Sequence, residues 1–174
     1  MPVYAAAGDY YPGKDLDALP AELLGYVELG HTLVKIKIGG ASLDEARAGS
    51  RRRLRSYGTA SGSPSMRTGA STSSSRSSTR ALEPYRLRWY EEPGDPLDCD
   101  LHSQVAQAYE PPIATGENLF SVQDVRNLAR YEGLRPDRDV VQMDPALSYG
   151  LVEFLRMLEV LMVPGACRWG RQGC

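Results

Sequence analysis

The sequence predicts an α/β fold, a partial (β/α) barrel interrupted in its middle. Three observations predict it. Short β-branched or apolar runs alternate with helical stretches of roughly a dozen residues, the βα rhythm of a parallel sheet. Three of those runs end in an acidic residue, at Glu91, Glu117 and Asp144. Between the two ordered ends, residues 49–80 lose all periodicity. The chain has 174 residues, whereas a complete barrel of this type typically takes about 250.

The elements follow in order. Residues 3–7 (Val-Tyr-Ala-Ala-Ala) form a short apolar strand, and Gly8 to Lys14, with Pro12 and Gly13, a loop. Residues 20–30 read as a helix with Pro20 at its start, Leu23, Leu24 and Val27 on one face, and Gly30 as its stop. Residues 32–38 (Thr-Leu-Val-Lys-Ile-Lys-Ile) are a β-branched strand closed by Gly39-Gly40. Ser42 followed by Glu45 is a capping box, so a second helix is expected there. After the interruption, Leu87 to Tyr90 reads as a strand ending in Glu91-Glu92-Pro93. Residues 97–109 place Leu97, Leu101, Val105 and Tyr109 at helical spacing. Ile113 to Thr115 is a strand ending in Gly116-Glu117-Asn118, and Ser121 with Asp124 caps a helix running to Tyr131. Val140 to Met143 is a strand ending at Asp144, and residues 149–161 form an amphipathic helix with Leu151, Leu155 and Leu158 inward. The pattern dissolves after Leu161.

Four segments result: 1–48 with two strands, 49–80 irregular, 81–161 with three strands, and 162–174 as a tail. Of the 32 residues from Gly49 to Arg80, 26 are Ser, Arg, Thr or Gly, and none is acidic. Such a composition buries too little surface to offset its ordering entropy. It is therefore expected to replace a strand by a loop excursion.

The bulk numbers narrow the function classes. A net charge of −2 gives no global pull towards nucleic acid or a membrane. No apolar run approaches the roughly 20 residues of a membrane span, and Met1 to Ala7 lacks the features of a signal peptide. Cys99, Cys167 and Cys174 form no CxxC pair and no zinc spacing. Reduced thiols and a cytoplasmic location are the expectation.

Lys35 and Lys37 lie two apart on one strand, so both face one side of the sheet. One reading is an edge strand with a solvated lysine face. The other is a barrel interior in which each ammonium lowers the pKa of its neighbour, leaving one lysine able to act as a general base. Glu91 and Glu117 supply carboxylate oxygens from successive strand ends, the hard ligands Mg²⁺ prefers. Each also reads singly as a salt-bridged or capping glutamate.

The combination is more specific than its parts. The strings VKIKIGG, RWYEEP and IATGENLF resemble the barrel of the enolase superfamily, mandelate racemase/muconate lactonizing enzyme subgroup. TLVKIKIGGASLDE, LRWYEEPGDPLD and ALSYGLVEFLRML are most similar to the D-tartrate family of acid-sugar dehydratases. The resemblance covers roughly residues 2–48 and 81–161. It implies a TIM-type barrel, a Mg²⁺ cofactor, a small acid-sugar substrate and a homo-oligomeric family. The reaction it implies removes the proton α to a carboxylate, stabilises the enediolate on Mg²⁺ and eliminates water. By motif, Lys37 matches the base and Lys35 its electrostatic neighbour. Glu91 and Glu117 match the second and third metal ligands, and Asp144 the carboxylate that orients a catalytic histidine.

Against that pattern the chain shows gaps. The first metal ligand is expected as an aspartate near Ser65 and Met66, where no acidic residue stands. The only histidines, His31 and His102, match no catalytic position. The resemblance also implies an N-terminal capping domain and seventh and eighth strands that have no match here. Three functional expectations follow. The first is a degenerate dehydratase barrel without activity. The second is an active dehydratase completed by another chain. The third is an Arg/Ser-rich nucleic-acid or interaction module using the seven arginines of residues 49–80, for which a solvated linker is the plainer reading.

The interruption itself suggests an origin. Written in GC-rich codons, Ser65-Met66-Arg67-Thr68-Gly69 is TCG ATG CGA ACG GGN, and read two bases later it becomes Asp-Ala-Asn-Gly. Gly49 to Arg52, as GGA TCG AGG CGG, likewise contains Ile-Glu-Ala. The hypothesis is a pair of compensating frame changes around residues 49–80 and a further one after about Leu161. Resequencing the gene is expected to find dehydratase-like codons in the alternate frames; their absence in all three places sinks the idea.

Overall fold

The computed structural model describes residues 4–8, 18–37 and 87–162, with the backbone of residues 65–69. The expected loop at 9–14, the Gly39-Gly40 stop, the capping box at Ser42 and Glu45, most of residues 49–80, and the tail with Cys167 and Cys174 lie outside the described residues.

Among the described residues six strands form one sheet: β1 (Ala5–Ala7), β2 (Leu33–Lys37), β3 (Ser65–Gly69), β4 (Tyr90–Glu91), β5 (Ile113–Thr115) and β6 (Val140–Val141). Their spatial order is their chain order, and every pairing is parallel. The described helices are α1 (Ala18–Glu28), α2 (Cys99–Ala108), α3 (Val122–Tyr131) and α4 (Leu151–Met162). Sequential parallel neighbours joined by helical crossovers are the strand arrangement of a (β/α) barrel. The sheet therefore gathers all its strand C-termini at one end, where loops carry chemistry.

One expectation is corrected here. Residues 65–69 are not a loop excursion but a strand, paired with β2 from Leu33↔Ser65 to Lys37↔Gly69 and with β4 at Thr68↔Tyr90. The physical reason is that ladder hydrogen bonds join backbone to backbone and accept almost any side chain. A gap between β2 and β4 would leave two rows of unpaired donors and acceptors.

Alternation along the strands separates core from site. Val34 and Ile36 of β2 join Ala5, Ala7, Leu19 and Leu23 in one cluster beneath α1. Tyr90 and Ile113 pack with Val105, Ala106 and Tyr109 of the α2 region. A third cluster joins Leu119, Val125 and Leu128 to Met157 and Leu161 of α4. Two helix faces differ from the sequence expectation. In α1 the buried residues are Leu19 and Leu23, while Leu24 and Val27 are exposed. In α4 they are Met157 and Leu161, while Leu151 and Leu155 are exposed. A leucine-rich helix offers more than one apolar stripe, and its packing partner selects among them, the β1–β2 face for α1 and helix α3 for α4. The cap on α3 forms as expected, Ser121 and Asp124 bonding reciprocally. Gly116 has φ +112, and a Cβ there would stand 3.0 Å from the Gln142 carbonyl, so glycine lets β5 and β6 close together beyond the strand end.

Two buried polar groups hold the frame. The Asp139 carboxylate accepts from the Ile113 N–H at 2.9 Å and from the Arg135 Nη2 at 2.7 Å. Arg135 in turn donates to the carbonyls of Tyr109 (2.8 Å), Glu110 (3.1 Å) and Pro111 (2.9 Å). This clamp fixes the turn from α2 into β5. Between α2 and α3, the fully buried His102 Nδ1 and Glu132 Oε1 are hydrogen-bonded. Burial pushes the Glu132 carboxyl above its usual range, against the opposing hydrogen bond and charge of His102.

Three outcomes follow. Asp139→Ala orphans the Ile113 N–H and leaves the Arg135 charge without its carboxylate, so urea unfolding should show a loss of about 3–5 kcal/mol. Arg138→Ala, which removes exposed pairs with Glu110 and Asp137, should leave the urea midpoint nearly unchanged. A raised folded-state pKa makes the Glu132 contribution complete below the unfolded value of 4.5 and lost as pH rises through the folded value. Glu132→Gln should therefore flatten the decline of stability as pH rises above that range, measured as urea midpoint against pH.

Candidate functional site

The site stands at the C-terminal ends of β2, β4, β5 and β6. Alternation in β2 sends Val34 and Ile36 into the core and places Lys35 and Lys37 together on the opposite face. In β4 the same rule sets Trp89 and Glu91 on one side and Tyr90 on the other. Gly8, at φ +81, lets the end of β1 approach β2 closely, with its missing Cβ position 3.1 Å from the Lys37 backbone nitrogen.

Glu91 is the centre of the arrangement. It is 2% exposed, and its carboxylate takes three donors from three strand regions. Lys35 Nζ donates to Oε1. Trp89 Nε1 donates to Oε2 at 3.0 Å, and Gln142 Nε2 to the same oxygen at 3.4 Å. Trp89 is steadied by an edge-on contact with Tyr4. Glu117, half exposed, brings its Oε2 to 4.0 Å from the same Lys35 Nζ. Two carboxylates from successive strands thus flank one cation position, and an ammonium fills it.

That finding corrects the expected electrostatics of the lysine pair. Burial lowers the Lys35 pKa, but the hydrogen bond and charge of Glu91, helped by Glu117, outweigh it and leave it raised. The neighbouring carboxylates, not Lys37, decide its charge. Lys37 is exposed at the strand end, level with Gly69 of β3.

Glu92 was not among the sequence candidates. Its φ of 41 makes it the only non-glycine with positive φ among the described residues. Its N–H donates to the Ala114 carbonyl at 2.9 Å, and its carboxylate accepts from Asn118 Nδ2 at 2.7 and 3.0 Å. Burial raises its pKa against the Asn118 hydrogen bond, and the charges of Glu117 and Glu91 raise it further. The Glu92–Asn118 link ties the residue after Glu91 to the residue after Glu117. Trp89 and Gln142 were also missed. Trp89 carried a signal, being two residues before Glu91 on one strand face; the contacts of Gln142 and Asn118 depend on tertiary placement alone.

Asp144 is not joined to this cluster. Its Oδ1 accepts from the Ala146 N–H at 2.7 Å, and its carbonyl from the Ser148 hydroxyl at 2.6 Å, so it shapes the turn into α4. Neither histidine accompanies it: His102 bonds Glu132, and His31 packs edge-on against Tyr26.

The strand expected to carry the first metal ligand brings no acidic residue to the site. The β3 register sets Ser65 and Met66 against Leu33 and Val34, below the level of Lys35. The positions level with Lys35 and Lys37 are Arg67 and Gly69, neither of them acidic. Among the described residues no group of three or more His, Cys, Asp or Glu is gathered to hold a metal ion. Glu91 and Glu117 fit a divalent ion that takes its remaining ligands from water or substrate, as Mg²⁺ commonly does. No described helix is long and apolar enough to cross a membrane.

Comparison with known proteins agrees with this placement of the strands. L-talarate/galactarate dehydratase of Salmonella typhimurium is 37% identical over 81 residues, 47% of this chain and 19% of that protein. Arabinonate dehydratase of Saccharolobus solfataricus is 26% identical over 168 residues, 93% of this chain and 43% of that protein. The chain thus spans less than half the length of these relatives. The Salmonella dehydratase solved with Mg and L-lyxarohydroxamate superposes with a TM-score of 0.75 at 26% identity, over 90% of this chain and 38% of that one. An L-talarate dehydratase from Polaromonas, at 24% identity and a TM-score of 0.75 over 90% of this chain and 43% of that one, shares the fold. The model of the enolase C-terminal domain-like family matches residues 18–163, and the chain belongs to that family, with a barrel-type α/β fold.

Proposed function

We propose that this chain carries the scaffold of a Mg²⁺-dependent acid-sugar dehydratase but is catalytically incompetent by itself. The observation that carries the reading is internal to the chain. The strand between the Lys35 strand and the Glu91 strand is built from residues 65–69, and residues 49–80 contain no acidic residue to complete the carboxylate set.

The retained residues support the chemistry of the scaffold. In this reading Glu91 and Glu117 hold the divalent ion, which when bound would neutralise the charge that develops on a substrate carboxylate. Lys37, at the open end of β2, takes the proton α to that carboxylate. Lys35 supplies positive charge beside it. Glu92 and Asn118 position the two metal-ligating glutamates by linking the residues that follow them. Asp144 stands at the end of β6, where it would orient a histidine, and no such partner is seen among the described residues. Removing one of three anionic ligands weakens ion binding, and the acid that assists loss of the hydroxyl is without a candidate. The substrate class proposed for the scaffold is a polyhydroxy acid of the tartrate type. The talarate/galactarate and arabinonate dehydratases among its relatives are consistent with that class.

The full chain, purified and supplied with Mg²⁺, is expected to form no 2-keto acid from D-tartrate, galactarate, L-talarate or arabinonate. Mg²⁺-dependent product formation that disappears in Lys37→Met would overturn the proposal in favour of an active dehydratase. Turnover appearing only on adding a second chain would identify a complementing partner.

A further inference from the structure

We propose that the second apolar stripe of α4 is a self-association surface, on which α4 of a second copy of this chain packs antiparallel about a two-fold axis. The inference is independent of the metal and substrate reading, since none of the residues in the stripe belongs to the strand-end cluster around Glu91.

The spacing within α4 carries it. Met157 and Leu161 are buried with Val125 and Leu128 of α3, and they occupy one face of the helix. A second set, Leu151, Leu155, Leu158 and Met162, falls at intervals of four, three and four. That is the spacing of a coiled-coil seam, which keeps apolar side chains in one row along a helix. Leu151, Leu155 and Met162 are 65%, 50% and 78% exposed, and Leu158 is half-buried. By contrast, α1 exposes only Leu24 and Val27 among its large apolar side chains, too few for a seam. An exposed apolar row rimmed by charge marks a contact surface.

The stripe also identifies its occupant. Its spacing reads the same from either end. An antiparallel copy therefore sets Leu151 against Met162 of the second copy, and Leu155 against Leu158 of the second copy. A two-fold axis needs such a self-complementary surface. The charges agree. Arg156 and Glu159, both exposed, stand on the flank of the seam turned away from the buried face. About an axis midway along the stripe, each Arg156 lies beside Glu159 of the other copy, so two opposite-charge pairs close the edge. The exposed pair of Arg156 with Glu153 on its own helix, at 3.4 Å, is weak enough to yield the guanidinium to a partner. The 12 residues of α4 give a seam about 18 Å long. Such a contact is small for a permanent interface, so dissociation is expected in about the micromolar range.

Sedimentation equilibrium of the full chain over about 1–100 μM tests this. The proteins compared are wild type, Leu155→Glu, Arg156→Glu, Glu159→Arg and the double exchange Arg156→Glu with Glu159→Arg. The three positions are exposed, so far-UV circular dichroism should be the same for all five. Wild type is expected to dimerise and Leu155→Glu to stay monomeric throughout. Each single charge change should weaken association about tenfold, and the double exchange should restore it to near the wild-type value. Restoration is the outcome that a general loss of structure does not produce. A wild type that stays monomeric, with the stripe covered by residues 163–174 or by nothing, overturns the proposal. So does any association indifferent to Leu155→Glu, or a dimer that the double exchange fails to restore.

Discussion

A carboxylate removed from water must keep a cation or several donors beside it, and the site in this chain is organised by that requirement at Glu91. Its neighbours come from separate parts of the sheet: Lys35 from β2, Trp89 from just before β4, Gln142 from just beyond β6. None of these is near another in sequence, except Trp89 and Glu91. They meet because six parallel strands lie in chain order, which brings every strand C-terminus to one end. The ion pair with Lys35 spans the strand that lies between β2 and β4. It therefore requires β3 to be present at ordinary strand spacing while asking nothing of its side chains.

That division explains how a chain with so irregular a middle keeps a family fold. Parallel pairing needs backbone donors and acceptors, which Ser65–Gly69 supply. Ligation of a metal needs a particular side chain at a particular level, which the same residues do not. Fold and chemistry thus depend on different properties of the same five residues.

Much of the frame was legible in the sequence. The strand at Ile113–Thr115 matches its apolar run, and the α3 cap matches the Ser121–Asp124 spacing. The lysine pair of β2 follows from its period of two. What was not legible has physical causes. The strand at 65–69 has almost no hydrophobic pattern, because its pairing is decided by its neighbours. The inward faces of α1 and α4 were misassigned because leucines at several spacings leave the stripe undetermined until the packing partner chooses, the sheet for α1 and helix α3 for α4. The raised pKa of Lys35 reversed an argument from its own strand, because the decisive charges sit 56 and more residues away. Local spacing shows which groups share a face; only the sheet order shows which charges they meet.

Glu92 marks where these levels join. Proline at the following position restricts the backbone available to it, and its φ of 41 is a conformation that side chains rarely adopt. Such strain, worth about 1–3 kcal/mol, persists only where surrounding contacts over-determine it. Here those contacts are the Ala114 carbonyl and both bonds from Asn118. The turn points Glu91 towards Lys35 and Glu92 towards the loop bearing Glu117, so that two adjacent carboxylates serve different strands. Two adjacent residues thus hold the spacing of the Glu91 and Glu117 carboxylates, one through its ion pair with Lys35 and the other through Asn118.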